Sequence, residues 1–237
     1  MRIAISGTYS VGKTLTTMAV SHLLGLPRSA AMTMRELLPI SVPGKTLEEC
    51  TAAEIIMLIM RRNQERAVNE SHLGQNFVSD GSSLHEWCYG TVRVLVGINP
   101  SAQQTIDEIN RSSDMSFYGE VLKQMGVPAK QHAVASYDMF IHLPIEFPLV
   151  EDGHRPVNER FRSLANDLLL GTLEELKIPC HVVGGTVPQR LTKVLDLLDV
   201  TPVMSIEEAI ALAQADYAKI DTSSEIERQT AVLAKVR

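Results

Sequence analysis

Eight residues near the start of the chain, Gly7-Thr8-Tyr9-Ser10-Val11-Gly12-Lys13-Thr14, have the spacing G-x-x-x-x-G-K-[ST]. The chemistry this spacing suits is the grip of a polyphosphate. Glycine at 7 and 12 lets the main chain wrap closely, so that its N–H groups converge on an anion. Lys13 adds a movable positive charge for the β- and γ-phosphates, and Thr14 adds a hydroxyl for Mg²⁺. The residues at 8 to 11 supply further backbone N–H groups. The motif therefore predicts a nucleoside triphosphate ligand.

Two further groups of residues are of the kind phosphoryl transfer needs. Asp80 ends the run Asn76-Phe77-Val78-Ser79-Asp80 and is followed by Gly81. An acid at the carboxyl end of a parallel strand faces the crevice where ligands bind. There it orients Mg²⁺ or accepts a substrate proton; the competing reading is an Asp-Gly turn. The second group lies in Glu151-Asp152-Gly153-His154-Arg155-Pro156-Val157-Asn158-Glu159-Arg160-Phe161-Arg162. Phosphoryl transfer asks mostly for positive charge over the moving group and for exclusion of water. An arginine-bearing loop carrying Arg155, Arg160 and Arg162 supplies both, and a solvated charged turn is the alternative.

An acceptor side is read from weaker signals. Arg35 could hold an anionic group, and Glu36 could accept a hydroxyl proton or hold a sugar hydroxyl. A surface ion pair explains that pair equally well. Ser82, His85 and Trp87 follow Asp80 and could line an acceptor pocket, with Trp87 as a stacking surface or simply as core. His154 lies beside the arginine loop. The seven histidines show no H-E-x-x-H or other zinc spacing.

These residues need a scaffold. Short apolar runs at Arg2–Ser6, Phe77–Asp80, 139–143 and 181–183, with a weaker one near 29–33, predict strands. Helical periodicity predicts helices over 14–24, 46–71, 161–176 and 188–198. The 46–71 helix opens on Thr46-x-x-Glu49, a capping box, with Ala53, Ile56, Met57 and Met60 at helical spacing. In 161–176 the pattern turns Leu164, Leu168 and Leu169 inward and Arg162, Asp167 and Glu174 outward. Alternating strands and helices predict an α/β fold with a parallel sheet covered on both faces. Residues 99–136 fit that core poorly and are expected as a helical insertion capping the substrate, with helices at 102–110 and 116–125. Residues 200–237 are expected as a helical tail, with capping boxes at Ser205-x-x-Glu208 and Ser224-x-x-Glu227. The tail docks on its own domain, residues 1–199, or on a second copy to make a homodimer.

Composition narrows the partners. The chain has 237 residues and a formal net charge of −6, which argues against a general nucleic-acid binder. Its longest mid-segment apolar run, Ile55-Ile56-Met57-Leu58-Ile59-Met60, is too short to span a bilayer. A cytoplasmic location and no membrane partner are expected. The three cysteines, Cys50, Cys88 and Cys180, show neither metal nor disulfide spacing.

The run Ile3 to Thr14 resembles the opening of small P-loop proteins of the AAA-28 type, a group that includes the ribosylnicotinamide kinase domain of the bacterial NAD-regulator. Phe77-Val78-Ser79-Asp80-Gly81-Ser82-Ser83 is similar to that group's strand-and-acid element. Glu151-Asp152-Gly153-His154-Arg155, with Arg160, is similar to its lid. Gly184-Gly185-Thr186-Val187-Pro188-Gln189-Arg190-Leu191 is similar to its last-strand loop and helix. The resemblance spans most of 1–199. It implies a three-layer nucleotide-kinase-like sandwich with strand order 2-3-1-4-5, a short arginine lid, and Thr186 and Pro188 at the adenine. It also implies ATP with Mg²⁺ as donor and transfer of the γ-phosphoryl group to a small hydroxylated acceptor such as a nucleoside. Gly81 departs from the pattern where related kinases carry an arginine. Two other readings stay open: a nucleotide-dependent switch whose lid and tail signal to a partner, and a plain triphosphate hydrolase. No guanine-reading N-K-x-D motif is present.

Overall fold

The computed structural model describes residues 1–29, 32, 34–98, 113–149 and 158–220. Five strands make one sheet: β1 (Arg2–Ser6), β2 (Arg28–Ser29), β3 (Phe77–Asp80), β4 (Met139–His142) and β5 (Cys180–Val182). Their order is β2-β3-β1-β4-β5, and every neighbouring pair is parallel. Eight helices are described: α1 (Lys13–Leu24), α2 (Met34–Ser41), α3 (Ala52–Leu73), α4 (Ser83–Val96), α5 (Ser113–Ser136), α6 (Glu159–Glu175), α7 (Val187–Leu198) and α8 (Ile206–Tyr217). None of the described helices is long and apolar enough to cross a membrane.

Strands buried on both faces read as continuous apolar runs, which is why β1, β3 and β4 stand out in the sequence. Alternate residues then divide between two cores. Ile3, Ile5, Val78 and Ile141 pack with Met18 and Leu23 of α1, Val194 of α7 and Ala209 of α8. Ala4, Phe77 and Phe140 pack on the other side with Leu58 of α3, Leu84 of α4 and Leu122 of α5.

Several sequence expectations change here. The Thr46–Glu49 box is formed, but it caps a single 3-10 turn, Leu47–Glu49. The chain is extended at Cys50, and a second box, Thr51 with Glu54, starts α3. The buried side of α3 is Ile55, Leu58 and Ile59, while Ala53, Ile56, Met57 and Met60 line a shallow surface groove. Residues 113–136, expected as part of a cap, are one helix whose Tyr118, Leu122, Ala129 and Ala133 lie in the main core. Arg162 points inward, not outward, and is 1% exposed. Of the tail, α8 docks on the chain's own α1 and α7, with His22 to Asp216 at 2.9 Å. The expected helix at 102–110 and the Ser224 box lie outside the described residues.

Candidate active site

The phosphate loop runs from the end of β1 to the start of α1. At Gly7, φ is 135°, and a Cβ would lie 2.7 Å from the Leu143 carbonyl oxygen. Only glycine fits a strand end pressed that closely against β4's extension. Ser10 and Gly12 have φ of 58° and 80°. Left-handed residues alternating with Val11 turn successive N–H groups toward one concavity, a geometry that receives anions. Gly12 also precedes the first turn of α1, whose unpaired N–H groups and dipole favour negative charge there. Lys13 folds back across the loop, and its ammonium donates to the Thr8 carbonyl at 3.0 Å. The Thr8 hydroxyl is buried and has no hydrogen-bond partner among the described residues. Thr14 is the second residue of α1.

Asp80 stands on the neighbouring strand, in register with Ile5, two residues before the loop. Its half-buried carboxylate has no ion pair or hydrogen bond among the described residues. A buried network beneath it holds its backbone. Arg66 donates to the Ser79 hydroxyl at 2.7 Å and to the Asp80 carbonyl at 3.0 Å. The Ser79 hydroxyl donates to Glu70 at 2.6 Å, and the Tyr137 hydroxyl donates to the same carboxylate at 2.9 Å. The acid therefore has a fixed main chain and an uncommitted side chain.

Ser82 caps α4, accepting from the Leu84 N–H at 3.3 Å. His85 lies behind the loop, 3% exposed, rather than on an open pocket wall. Its Nδ1 accepts from the Ser82 N–H at 2.9 Å, and its Nε2 faces the Gly7 N–H at 3.4 Å. Burial, then the nearby Lys13 and Arg66 charges, hold its pKa well below the ordinary histidine value. Its ring packs between the start of α4 and the back of the phosphate loop. Trp87 takes the core role, its indole N–H donating to the Leu122 carbonyl at 2.9 Å. Glu36 is exposed in the first turn of α2. Arg35 is in the same turn.

The lid divides. Arg155 and His154 lie outside the described residues. Arg160 is exposed in the first turn of α6. The buried Arg162 donates to the Phe147 carbonyl at 2.8 Å, and its Nε and Nη2 have no hydrogen-bond partner among the described residues. On the far side, Thr186 and Pro188 form the cap and first turn of α7, where Gln189 closes a capping box onto the Thr186 N–H at 2.8 Å.

Three features escaped the sequence reading. Tyr9 of the loop stacks on Tyr89 of α4, with centroids 4.5 Å apart and planes 14° apart, and Phe161 of α6 extends the stack at 6.1 Å. His142 bridges the Ser6 hydroxyl at 2.8 Å and the Asn166 side chain at 3.1 Å, and burial lowers its pKa. Arg190 of α7 reaches the loop from below. A signal existed for the last: Arg190 sits in the apolar stripe Val187, Leu191, Val194, a position where a charge demands a buried partner.

The AAA domain model of the AAA-28 type matches residues 2–190. The chain belongs to this family. No curated protein matches the sequence. Among solved structures, the deoxyadenosine kinase of M. mycoides with bound dATP aligns with a TM-score of 0.59 at 16% identity, over 84% of this chain and 100% of that one. The same enzyme with bound dCTP aligns with a TM-score of 0.57 at 15% identity, over 84% and 99%. At such identity the likeness is one of fold: a P-loop nucleoside-kinase-like sandwich. Within this AAA-28 frame, the phosphate loop and Asp80 occupy the carboxyl ends of adjacent strands. Among the described residues, no group of three or more His, Cys, Asp or Glu side chains is set to hold a metal.

Proposed function

We propose that the chain is an ATP-dependent phosphotransferase that moves the γ-phosphoryl group to a hydroxyl of a small acceptor of the nucleoside class. The observation that carries this reading is the register of Ile5 with Asp80. It sets an uncommitted carboxylate beside the mouth of the phosphate loop, on the strand next to β1. The family membership, the nucleoside-kinase-like fold and the motif likeness to a ribosylnicotinamide kinase domain support it. A cytoplasmic enzyme acting on free metabolites fits the same reading.

In this mechanism the loop N–H groups from Gly7 to Lys13 hold the triphosphate, and the Lys13 ammonium exchanges the Thr8 carbonyl for phosphate oxygens. Thr186 and Pro188 border the base. Asp80 takes the acceptor proton or, with Thr14, holds Mg²⁺. A hydroxyl and one carboxylate are hard oxygen donors, and Mg²⁺ commonly binds through one or two carboxylates with the phosphates completing its shell; it would supply charge neutralisation there. Arg35 and Glu36 stand on the acceptor side. Arg155 and Arg160 close over the transferring group and keep water out. The switch reading rested on a tail reaching a partner; as far as Tyr217, the tail packs on α1.

The test is acceptor-dependent ADP release from ATP and Mg²⁺ across a panel of nucleosides and small alcohols. A nucleoside that raises turnover at least tenfold over the hydrolytic background is the expected result. No stimulation by any acceptor, with nucleotide bound, would sink the transferase reading. Lys13→Ala should lower kcat by about 100-fold or more, and unchanged turnover would remove the loop from the donor site.

A further inference from the structure

Arg190 is almost fully buried at the fourth position of α7, yet none of its side-chain bonds stabilises α7 itself. Its Nη1 donates to the Val11 carbonyl at 2.7 Å, and the Thr16 hydroxyl lies 3.4 Å from the same nitrogen. Its Nη2 donates to Glu146 at 3.2 Å, and the guanidinium carbon lies 5.7 Å from the centre of the Phe147 ring. Glu146 is itself fixed, both oxygens accepting from the Gly185 N–H at 2.8 and 3.0 Å. That N–H, then Arg190, holds its carboxyl below the usual carboxylate range. A Cβ on Gly12 would stand 3.2 Å from Nη1, a tight contact that the bare glycine avoids.

The consequence follows from peptide geometry. In a trans peptide the carbonyl of one residue and the N–H of the next point in opposite directions. Arg190 holds the Val11 carbonyl outward, away from the loop's concavity. The Gly12 N–H is thereby turned inward. That N–H has no acceptor among the described residues. A cation 2.7 Å from the carbonyl also polarises the peptide and strengthens its N–H as a donor. Lysine could not do the same: one ammonium cannot stand at both the Val11 carbonyl and Glu146 with the planar fork's fixed spacing.

We propose that Arg190 is a positioning residue of the donor site, acting through the Val11–Gly12 peptide to aim the Gly12 N–H at the triphosphate without touching it. The proposal rests on reading residues 7–14 as the phosphate loop, but not on the identity of the acceptor. The full chain and its Arg190→Met and Arg190→Lys variants would be titrated with ATP and with inorganic tripolyphosphate. The Gly12 amide would be followed by ¹⁵N NMR without ligand. A hydrogen bond to a charged group is worth about tenfold in binding. Arg190→Met should lose about that factor for both ligands alike, with the Gly12 amide resonance moved and the remaining spectrum kept. Arg190→Lys should lose less. Where Arg190→Met does not fold, Arg190→Lys still decides. A folded variant with unmoved Gly12 resonance and unchanged tripolyphosphate affinity would overturn the proposal. Loss of ATP affinity alone would also overturn it, because it would place Arg190 at the base. Should the native chain bind no tripolyphosphate, the loop assignment and this proposal fall together. Failure to find an acceptor touches only the transferase reading.

Discussion

The sheet face under α1, α7 and α8 is filled mainly by apolar side chains from Ile3 to Ala213, with Arg190 the buried charge on that side, whereas the face under α3 to α6 buries the linked polar group Arg66, Glu70 and Ser79. Away from Arg190, the first layer is held by area removed from water, which is additive and indifferent to direction. The second is held partly by bonds that must point correctly, and one of them fixes the Asp80 carbonyl. The difference teaches where precision is needed. The helix behind the phosphate loop needs a firm backing, while the loop peptide held by Arg190 and the last peptide of the strand carrying the acid need to be oriented.

The largest effect should come from breaking the polar layer unevenly. Glu70→Ala leaves Arg66 buried beside Tyr137 and should destabilise by about 3–5 kcal/mol in urea unfolding. Arg66→Met with Glu70→Leu removes both charges and should recover much of that loss. A double variant no better than the single would show that the layer is not governed by charge pairing. Next comes the apolar layer: Leu23→Ala should cost about 2–5 kcal/mol, with no companion substitution of opposite sign. A loss under ~1 kcal/mol would mean that this layer is looser than its burial suggests.

Acidification should also separate the two. His85, His132 and His142 all belong to the α3–α6 side, and burial lowers the pKa of each. Unfolded histidine titrates near 6.5, so below about that pH the unfolded chain binds protons that the folded chain refuses. Their contribution is therefore present above about pH 6.5 and lost as pH falls toward the folded values. The slope is at most about 1.4 kcal/mol per pH unit for each histidine. Stability measured from pH 7 to 5 should fall, and His142→Asn should flatten the fall; an equally steep variant would remove His142 from the account. The smallest effect is at the apolar layer's rim. Ser205→Ala deletes the α8 cap, where the hydroxyl accepts from the Glu208 N–H at 3.2 Å, and should lower stability by ~1 kcal/mol. A change in nucleotide affinity with it would mean that α8 acts on the loop.

The same contrast explains what the sequence disclosed. β1, β3 and β4 were legible because strands buried on both faces are continuous apolar runs, and the loop because its glycines and lysine have few substitutes. The Thr46 box was read correctly as a cap and wrongly as the cap of α3, since a box does not say how long its helix will be. The second box at Thr51 was the missing stop-and-restart. Trp87 offered a ring without saying which way it faced. Arg162 and Arg190 were missed as buried groups because their partners are tertiary; Val11 and Arg190 are 179 residues apart. Charge pattern along one helix cannot name a carbonyl on another element.

The parallel register of β1 has a consequence for how the molecule is made. Its neighbours are β3, pairing Arg2 with Phe77, and β4, pairing Ile3 with Met139. Its backing helix α1 is covered in turn by α8, after residue 205. Strand β1 is thus enclosed only when Phe77, Met139 and the residues beyond 205 are in place. Non-local pairing of this kind slows folding and leaves apolar strands open to misassociation in the meantime. The phosphate-gripping loop, local in sequence, is in its formation a late product of the whole chain.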